Sequence, residues 1–154
     1  MSLLALDLGR FLGYARIIGG QVISGHVDFA PQKQRQFEGG GMRYLRFRQW
    51  LNKMHAMHAV DEVIYEEVRR HKATAAAHAY GAYQSTLSSW CEEQGVPYSS
   101  VLPQAIKLFA TGKAHAGKDL MIAAAYTQFG VDTNNDNEAD AVALLYYRLN
   151  DIFN

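Results

Sequence analysis

Residues 3–9, LLALDLG, place one carboxylate, Asp7, at the end of an apolar run. Branched and alternating apolar residues predict a buried strand. A carboxylate at the end of such a strand is costly to desolvate unless a partner compensates its charge. A metal ion or the backbone N–H groups of the following glycine turn would provide that compensation. The stretch therefore predicts a core strand that ends in a functional site.

Two further strands are expected directly after this one. Residues 12–18 and 21–29 carry strand-forming sequence, and the Gly19-Gly20 pair between them predicts a hairpin turn. The first three strands should therefore form an antiparallel meander, with Asp7 on its first strand.

The rest of the chain alternates helical and extended segments. Helix-forming composition starts near residue 35, but the glycines at 39–41 delay the helix, since each costs about 1 kcal/mol there. This order predicts an α/β fold in a single domain over residues 1–154: a mixed five-stranded sheet, made of the meander plus parallel strands and flanked by helices. The predicted helices are 42–58, 73–94, 103–110, 118–129 and 137–150, and the remaining strands are 62–68 and 98–102.

Composition excludes several classes of protein. The chain has 154 residues, 49% of them hydrophobic and 12% aromatic, which indicates a folded globular domain. No apolar run approaches the ~20 residues that span a bilayer, and the N-terminus lacks a signal-peptide layout. Cys91 is the only cysteine, so neither an internal disulfide nor a cysteine-based zinc site is expected. We expect a cytoplasmic protein with no membrane contact.

Charge is balanced in total but segregated along the chain. The 15 basic and 15 acidic residues sum to zero, whereas the acids concentrate at 61–62, 66–67 and 132–140. Segregated signs fit a basic groove around an acidic centre, although solvated helix faces would explain any one cluster alone. The basic residues predicted to contact nucleic acid are Arg43, Arg46, Arg69, Arg70, Lys72, Lys107 and Lys113.

Three carboxylates are predicted to converge. Glu66 lies at the exit of the fourth strand, and the first and fourth strands are expected side by side. On the last helix, Asp140 would point towards the strand ends. Oxygen ligands suit Mg²⁺ or Mn²⁺, and two such ions ~3.5–4 Å apart can activate water against a phosphodiester. Asp136 is either a further ligand or the N-cap of the helix, and Glu138 is a candidate for a solvated residue.

These segments together resemble the RuvC-type Holliday-junction resolvases of the RNase H-like nuclease superfamily, particularly the short phage versions. The resemblance covers nearly the whole chain, from residue 4 to 149. Its matching segments are 6–9 with 13–15, then 64–67, 103–107, 117–118 and 138–141.

The resemblance implies an RNase H-like fold and a crossover-junction endonuclease. Asp7, Glu66 and Asp140 would be catalytic metal ligands for two Mg²⁺ or Mn²⁺ ions. Lys118 would neutralise charge on the scissile phosphate, with Lys107 as another contact near the cut; a surface lysine at a helix start is the alternative for Lys118. The partner would be a four-way or otherwise branched DNA, bound by a homodimer in a bacterial or phage-infected cytoplasm.

One position departs from the family pattern. The bacterial resolvases carry a fourth carboxylate three residues before the helix aspartate, where this chain has Asn137. Asparagine can ligate a hard cation but brings no charge. Asn137, Asp136 and Glu138 therefore remain candidates for the fourth ligand.

Two further roles are assigned to aromatic residues. The alanine-rich helix 73–94 is the candidate dimer interface, unless its large side chains merely pack on the sheet. Three other aromatic rings could stack on unpaired bases at the crossover, although core packing is the stronger expectation for Tyr14. The interface candidates are Tyr80, Tyr83, Leu87 and Trp90, and the stacking candidates are Phe11, Tyr14 and Tyr44.

Other functions stay open at this point. A related nuclease acting on RNA or on branched DNA in general would carry the same carboxylates, because 2′-OH contacts leave no motif. A catalytically idle nucleic-acid-binding scaffold would explain the missing fourth acid. An actin-like ATPase is excluded by the chain length and by the absence of a second glycine-rich phosphate loop.

Overall fold

A computed structural model describes residues 1–30 and 38–154. Its five-stranded sheet has the order β3-β2-β1-β4-β5. β1 pairs antiparallel with β2, which pairs antiparallel with β3, whereas β1–β4 and β4–β5 are parallel pairs. The predicted mixed sheet is confirmed. The strands are β1 Leu3–Asp7, β2 Phe11–Ile18, β3 Gln21–Asp28, β4 Glu62–Glu66 and β5 Tyr98–Val101.

Within the described residues, five helices cover the two faces of this sheet. On one face α1 and α2 pack against Leu4, Leu6 and Val63; on the other, α3, α4 and α5 pack against Leu3 and Ala5. Successive residues of β1 thus face opposite layers, as strand geometry requires. No helix in residues 1–30 and 38–154 is long and apolar enough to cross a membrane. The helices are α1 Met42–Met57, α2 Thr74–Gln94, α3 Pro103–Thr111, α4 Lys118–Phe129 and α5 Asp136–Phe153.

Most predicted boundaries hold to within one or two residues. The helix-forming composition of residues 35–37 lies outside the described residues. β4 ends at Glu66, earlier than predicted: the N–H of Glu67 still donates to the Val101 carbonyl at 2.9 Å, but the N–H of Val68 donates to the Tyr80 hydroxyl at 3.1 Å. α5 continues to Phe153, three residues beyond its predicted end.

The proposed interface on α2 is wrong, because its large side chains face the protein core. Tyr83, Leu87 and Trp90 are fully buried, and Tyr80 is 9% exposed. They pack between the sheet and α1, where Trp90 also donates a hydrogen bond to Asn52 Oδ1 at 2.8 Å. The alternative of simple sheet packing is therefore correct for this face of α2.

The start of α5 approaches the sheet closely at Gly13. A Cβ added to Gly13 would lie 1.9 Å from the carbonyl oxygen of Asn137, in the first turn of α5. Gly13 also pairs with Asp7 across β1 and β2. The missing side chain therefore lets the start of α5 lie directly on the strand that faces Asp7.

Gly13→Ala should destabilise the protein by about 1–3 kcal/mol, because the new methyl must displace the backbone of α5. Gly9→Ala is the matched control, since a Cβ there meets no atom within 4 Å. Chemical denaturation of both variants measures the difference. Equal stability of the two variants would contradict the close packing of α5 on β2.

Candidate metal centre

Asp7, Glu66 and Asp140 form one compact group of carboxylates. One oxygen from each side chain lies within 4.8 Å of the others, and all three residues are partly buried. Asp7 and Glu66 end the parallel neighbours β1 and β4, and Asp140 lies one turn into α5. The predicted convergence of two strand ends and one helix is thus present in the fold.

A hydrogen-bonded cap holds the start of α5 in place. The Asn135 side chain accepts from the N–H of Glu138 at 2.9 Å, so Asn135, and not Asp136, is the N-cap. The Glu138 carboxylate accepts from the Ser24 hydroxyl at 2.8 Å and from Thr133 at 3.0 Å. These bonds connect α5 to β3 and to the preceding loop, which fixes the position from which Asp140 projects.

This cap corrects two sequence interpretations. Asp136 is free of the capping role, and Glu138 is not a solvated residue, because Ser24 and Thr133 occupy both of its oxygens. As a metal ligand, Glu138 would have to share or give up these two hydrogen bonds. Thr133 and Asn135 were missed, although a threonine and an asparagine just before a helix are a known capping signal.

Burial and mutual repulsion make the three acids hard to ionise together. Burial, then the charges of Glu66 and Asp140, raise the pKa of Asp7 well above its ordinary value. Burial, then Glu66 and Asp136, raise the pKa of Asp140 to about 7, against the opposing effect of Lys107 and Lys118. Without a cation, the cluster retains protons that isolated carboxyl groups would lose.

Glu66 responds to the same surroundings. Burial raises its pKa, while a hydrogen bond with the Asp7 carboxyl and the positive charge of Lys107 lower it. A proton shared between Asp7 and Glu66 is the arrangement expected for two acids held side by side in place of a cation.

The donor set fits a divalent metal. Three converging carboxylates supply hard oxygen ligands, which suit Mg²⁺ and Mn²⁺. The raised pKa values of Asp7 and Asp140 also fit a metal site. A bound cation would offset the burial and the repulsion that favour protonation of these carboxylates. The cluster is therefore compatible with divalent-metal use.

Asp136 and Asn137 lie beside this group. Asp136 is outside the compact set, but its charge raises the pKa of both Asp7 and Asp140. Its carboxylate lies 3.8 Å from the ammonium of Lys118. The Asn137 backbone packs on Gly13, the residue of β2 that pairs with Asp7. Both residues stay candidates for an additional ligand.

The predicted basic residues divide into three groups. Lys107 and Lys118 act electrostatically on the carboxylate cluster. Arg46 forms an ion pair with Glu38, and the Arg43 guanidinium lies 5.0 Å from the Tyr44 ring centroid, so both are engaged within the protein. The remaining cations lie on the surface, after β4 or after α3, and are Arg69, Arg70, Lys72 and Lys113.

Comparison with solved structures identifies the fold. The structure superposes on Thermus thermophilus RuvC in complex with Holliday junction substrate with a TM-score of 0.78 and 19% identity, covering 97% of this chain and 93% of that chain. The chain has the RuvC fold. A second Thermus thermophilus RuvC structure gives a TM-score of 0.75 at 20% identity, covering 97% of both chains.

A eukaryotic protein shares the same RuvC fold. The yeast mitochondrial Holliday junction resolvase Ydc2 gives a TM-score of 0.64 at 14% identity, covering 94% of this chain and 76% of that chain. No protein-family model and no curated protein matches the sequence. The RNase H-like fold expected from the sequence resemblance is thus confirmed at the level of structure.

Asp140→Asn should stabilise the metal-free protein above pH 7. With a folded-state pKa of about 7, the Asp140 carboxyl is protonated when folded but ionised when unfolded between roughly pH 4 and 7. The free energy of unfolding of wild type therefore falls as pH rises through this window. The asparagine variant does not lose the contribution that Asp140 makes to this fall.

Thermal unfolding in EDTA at pH 5 and pH 8 measures this effect. The variant should gain melting temperature relative to wild type on going to pH 8, and added Mg²⁺ should stabilise wild type more than the variant. Asp119→Asn, at an exposed carboxylate in the first turn of α4, is the control. A variant that loses stability at pH 8 in EDTA would contradict the repulsive cluster.

Proposed function

We propose that this protein is a divalent-metal-dependent endonuclease that cuts four-way or otherwise branched DNA. The observation that carries the proposal is the position of the carboxylate cluster in the fold. Asp7, Glu66 and Asp140 converge at one edge of a sheet whose fold extends over 97% of the chain in common with a RuvC solved with Holliday junction substrate. The site is acidic and compact, which suits metal-assisted hydrolysis of a phosphodiester.

Asp7, Glu66 and Asp140 would hold Mg²⁺ or Mn²⁺, with Asp136 or Asn137 as a further ligand. Two bound ions would activate a water molecule and stabilise the leaving oxygen of the phosphodiester. Asp7 and Glu66 lie on the central strands β1 and β4, which hold both side chains in defined positions. Asp140 completes the carboxylate group from α5, the helix that packs on one face of the sheet.

Lys107 and Lys118 would bind the scissile phosphate. Both act on Asp140 from nearby, so they provide positive charge beside an acidic centre that would otherwise repel a DNA strand. Lys118 keeps 79% of its side chain exposed while it lies near Asp136, so it is accessible to a phosphate. We assign Lys118 the catalytic role and Lys107 a binding role.

The nuclease would recognise shape and backbone in preference to base edges. The surface cations Arg69, Arg70 and Lys72 lie in the segment that follows β4, and Lys113 follows α3. Contacts of this kind to phosphates give affinity that falls with salt and carry little sequence information. A symmetric dimer would present two clusters to two strands of one junction.

We also propose a cytoplasmic location, in a bacterium or a phage-infected cell. The single cysteine, Cys91, is a buried free thiol, and burial raises its pKa to about 12. A protein without disulfides fits a reducing compartment.

Asp7→Asn, Glu66→Gln and Asp140→Asn should each abolish cleavage of a synthetic four-way junction while preserving binding. Each change removes one charge from the metal ligands but leaves the phosphate contacts. Cleavage is assayed with Mg²⁺ or Mn²⁺ beside linear duplex and an RNA hairpin, and binding by gel shift in EDTA.

Asp119→Asn is the control for charge loss alone, because Asp119 is exposed on α4. Symmetric nicks confined to the junction support the proposal. Equal cutting of every substrate would contradict junction selectivity, preferential cutting of the hairpin would favour the RNA nuclease, and no cutting by wild type would favour the idle scaffold.

Asn137→Asp should preserve or raise cleavage supported by Mg²⁺. The substitution restores a carboxylate at the start of α5, where an extra charge would strengthen the hold on a hard cation. The Mg²⁺ concentration for half-maximal cleavage measures the effect. A complete loss of activity would show that Asn137 has a role its charged analogue cannot fill.

A further inference from the structure

An ion pair joins β4 to α5 at the ends of these elements that lie away from the carboxylate cluster. The Arg148 guanidinium donates to the Glu62 carboxylate from Nη2 at 2.7 Å and from Nε at 3.0 and 3.3 Å. Its Nη1 donates to Asp151 at 2.8 Å. We call the contact between Glu62 and Arg148 the distal ion pair. It connects two elements that each carry a carboxylate of the cluster, since Glu66 ends β4 and Asp140 lies near the start of α5.

We propose that the distal ion pair sets the register of α5 along β4 and so holds Asp140 at metal-binding distance from Glu66. The inference rests on the metal site of the proposed function and assigns roles to two residues outside it. Glu62 and Arg148 act through the metal ligands and are therefore positioning residues.

The two elements run in opposite directions past each other, so the distal ion pair lies equally far from the cluster along both. Glu62 precedes Glu66 by four residues, which is about 13 Å at the rise of a strand. Arg148 follows Asp140 by eight residues, which is about 12 Å at the rise of a helix. A shift of α5 along β4 would therefore break the distal ion pair and change the distance between Glu66 and Asp140 together.

The side chains concerned lie on the face of the sheet that α5 covers. Residues two apart on a strand share a face, so Glu62 and Glu66 flank Ile64, which packs in the core beneath α5. On α5, Leu144 lies midway between the cluster and the distal ion pair and belongs to the same core. The cluster and the distal ion pair are thus the two polar ends of one apolar contact.

That apolar contact resists separation of α5 from the sheet more than it resists sliding. Hydrophobic attraction is non-directional, and three of the buried residues of α5 are alanines, whose small side chains form shallow ridges. A two-pronged contact between guanidinium and carboxylate is directional, because its hydrogen bonds lengthen when either partner moves. The distal ion pair therefore supplies a constraint along the helix axis that the apolar residues supply less well. The three alanines are Ala139, Ala141 and Ala143.

The near end of α5 is also held, which makes the helix a lever. The first turn lies against β2 at Gly13, where the Asn137 carbonyl approaches the strand. From this point Asp140 is about 4.5 Å along the helix and Arg148 about 17 Å. A rotation that moves Arg148 by about 2 Å moves Asp140 by about 0.5 Å, which exceeds the roughly 0.2 Å tolerance of metal–ligand distances. Holding Arg148 therefore limits the movement of the metal ligand.

The distal ion pair is shielded enough from water to keep its geometry. The side chains of Glu62 and Arg148 are 18% and 28% exposed, whereas those of the surface pair Asp28 and Arg10 are 48% and 49% exposed. Exposed pairs contribute little on average, because solvent and salt screen them, and bidentate pairs with good geometry are the exception. The distal ion pair belongs to the exceptions.

Arg148→Met and Glu62→Gln test the inference, because each removes the paired charges while keeping the length of the side chain. The readout is the dissociation constant of Mn²⁺ without DNA, from the electron paramagnetic resonance signal of free Mn²⁺. At the binding site that Asp7→Asn abolishes, each variant should bind Mn²⁺ about 10-fold more weakly than wild type. The double variant should bind no more weakly than either single variant, since all three lose the same contact.

Two controls separate positioning from loss of an ion pair in general. Asp151→Asn removes the other partner of the Arg148 guanidinium and leaves the contact between β4 and α5 in place. Arg48→Met removes the ion pair of Arg48 with Glu93, which joins α1 to α2, and neither helix carries a carboxylate of the cluster. Both controls should bind Mn²⁺ as wild type does, even where the melting temperature falls as much as in Arg148→Met.

A lower melting temperature with unchanged Mn²⁺ affinity in Arg148→Met and Glu62→Gln would overturn the inference, because the distal ion pair would then only stabilise the fold. Equal weakening of Mn²⁺ binding in the two controls would overturn it as well. Cleavage of a four-way junction is measured separately. Wild type that binds Mn²⁺ but cuts no junction contradicts the nuclease function and leaves the positioning role intact, whereas wild type that binds no Mn²⁺ at the cluster contradicts both.

Discussion

The convergence of three partly buried carboxylates is the constraint on which the rest of this structure depends. Asp7, Glu66 and Asp140 lie within 4.8 Å of one another at an edge of the sheet, so the fold keeps together charges that would separate if free. Rigid central strands hold two of them, and a capped helix holds the third. Stability is thus lost at this edge in the absence of a cation, which is the usual cost of a preformed site.

Contacts outside the cluster hold α5 in place against the repulsion among the three carboxylates. Gly13 lets the Asn137 carbonyl lie against β2, and the Glu138 carboxylate bonds to Ser24 on β3. Asn135 caps the helix from the loop side. Three contacts outside the cluster therefore set the direction of Asp140, while Asp136 is left to interact with Lys118. The Glu138 carboxylate supports the site by holding α5 to Ser24 and Thr133.

Local sequence was sufficient for the elements that carry strong patterns. Apolar strands, glycine helix ends, carboxylates at the exits of two strands and an aspartate early in the last helix led to the sheet and to the Asp7, Glu66 and Asp140 group. Contacts between distant residues were not predictable in this way: the inward face of Tyr83 and Trp90, the Glu38–Arg46 ion pair and the Glu138–Ser24 bond depend on how helices settle on the sheet. Periodicity alone does not specify which partner a polar side chain meets across the fold.

The central claim is that the carboxylate cluster is a divalent-metal site. Anomalous diffraction from a crystal grown with Mn²⁺ and an uncleaved junction tests it most directly. The account predicts anomalous peaks at Mn²⁺-ligand distance, about 2.0–2.3 Å, from oxygens of Asp7, Glu66 and Asp140. Peaks confined to other residues, or a cluster without any peak beside bound DNA, would contradict it.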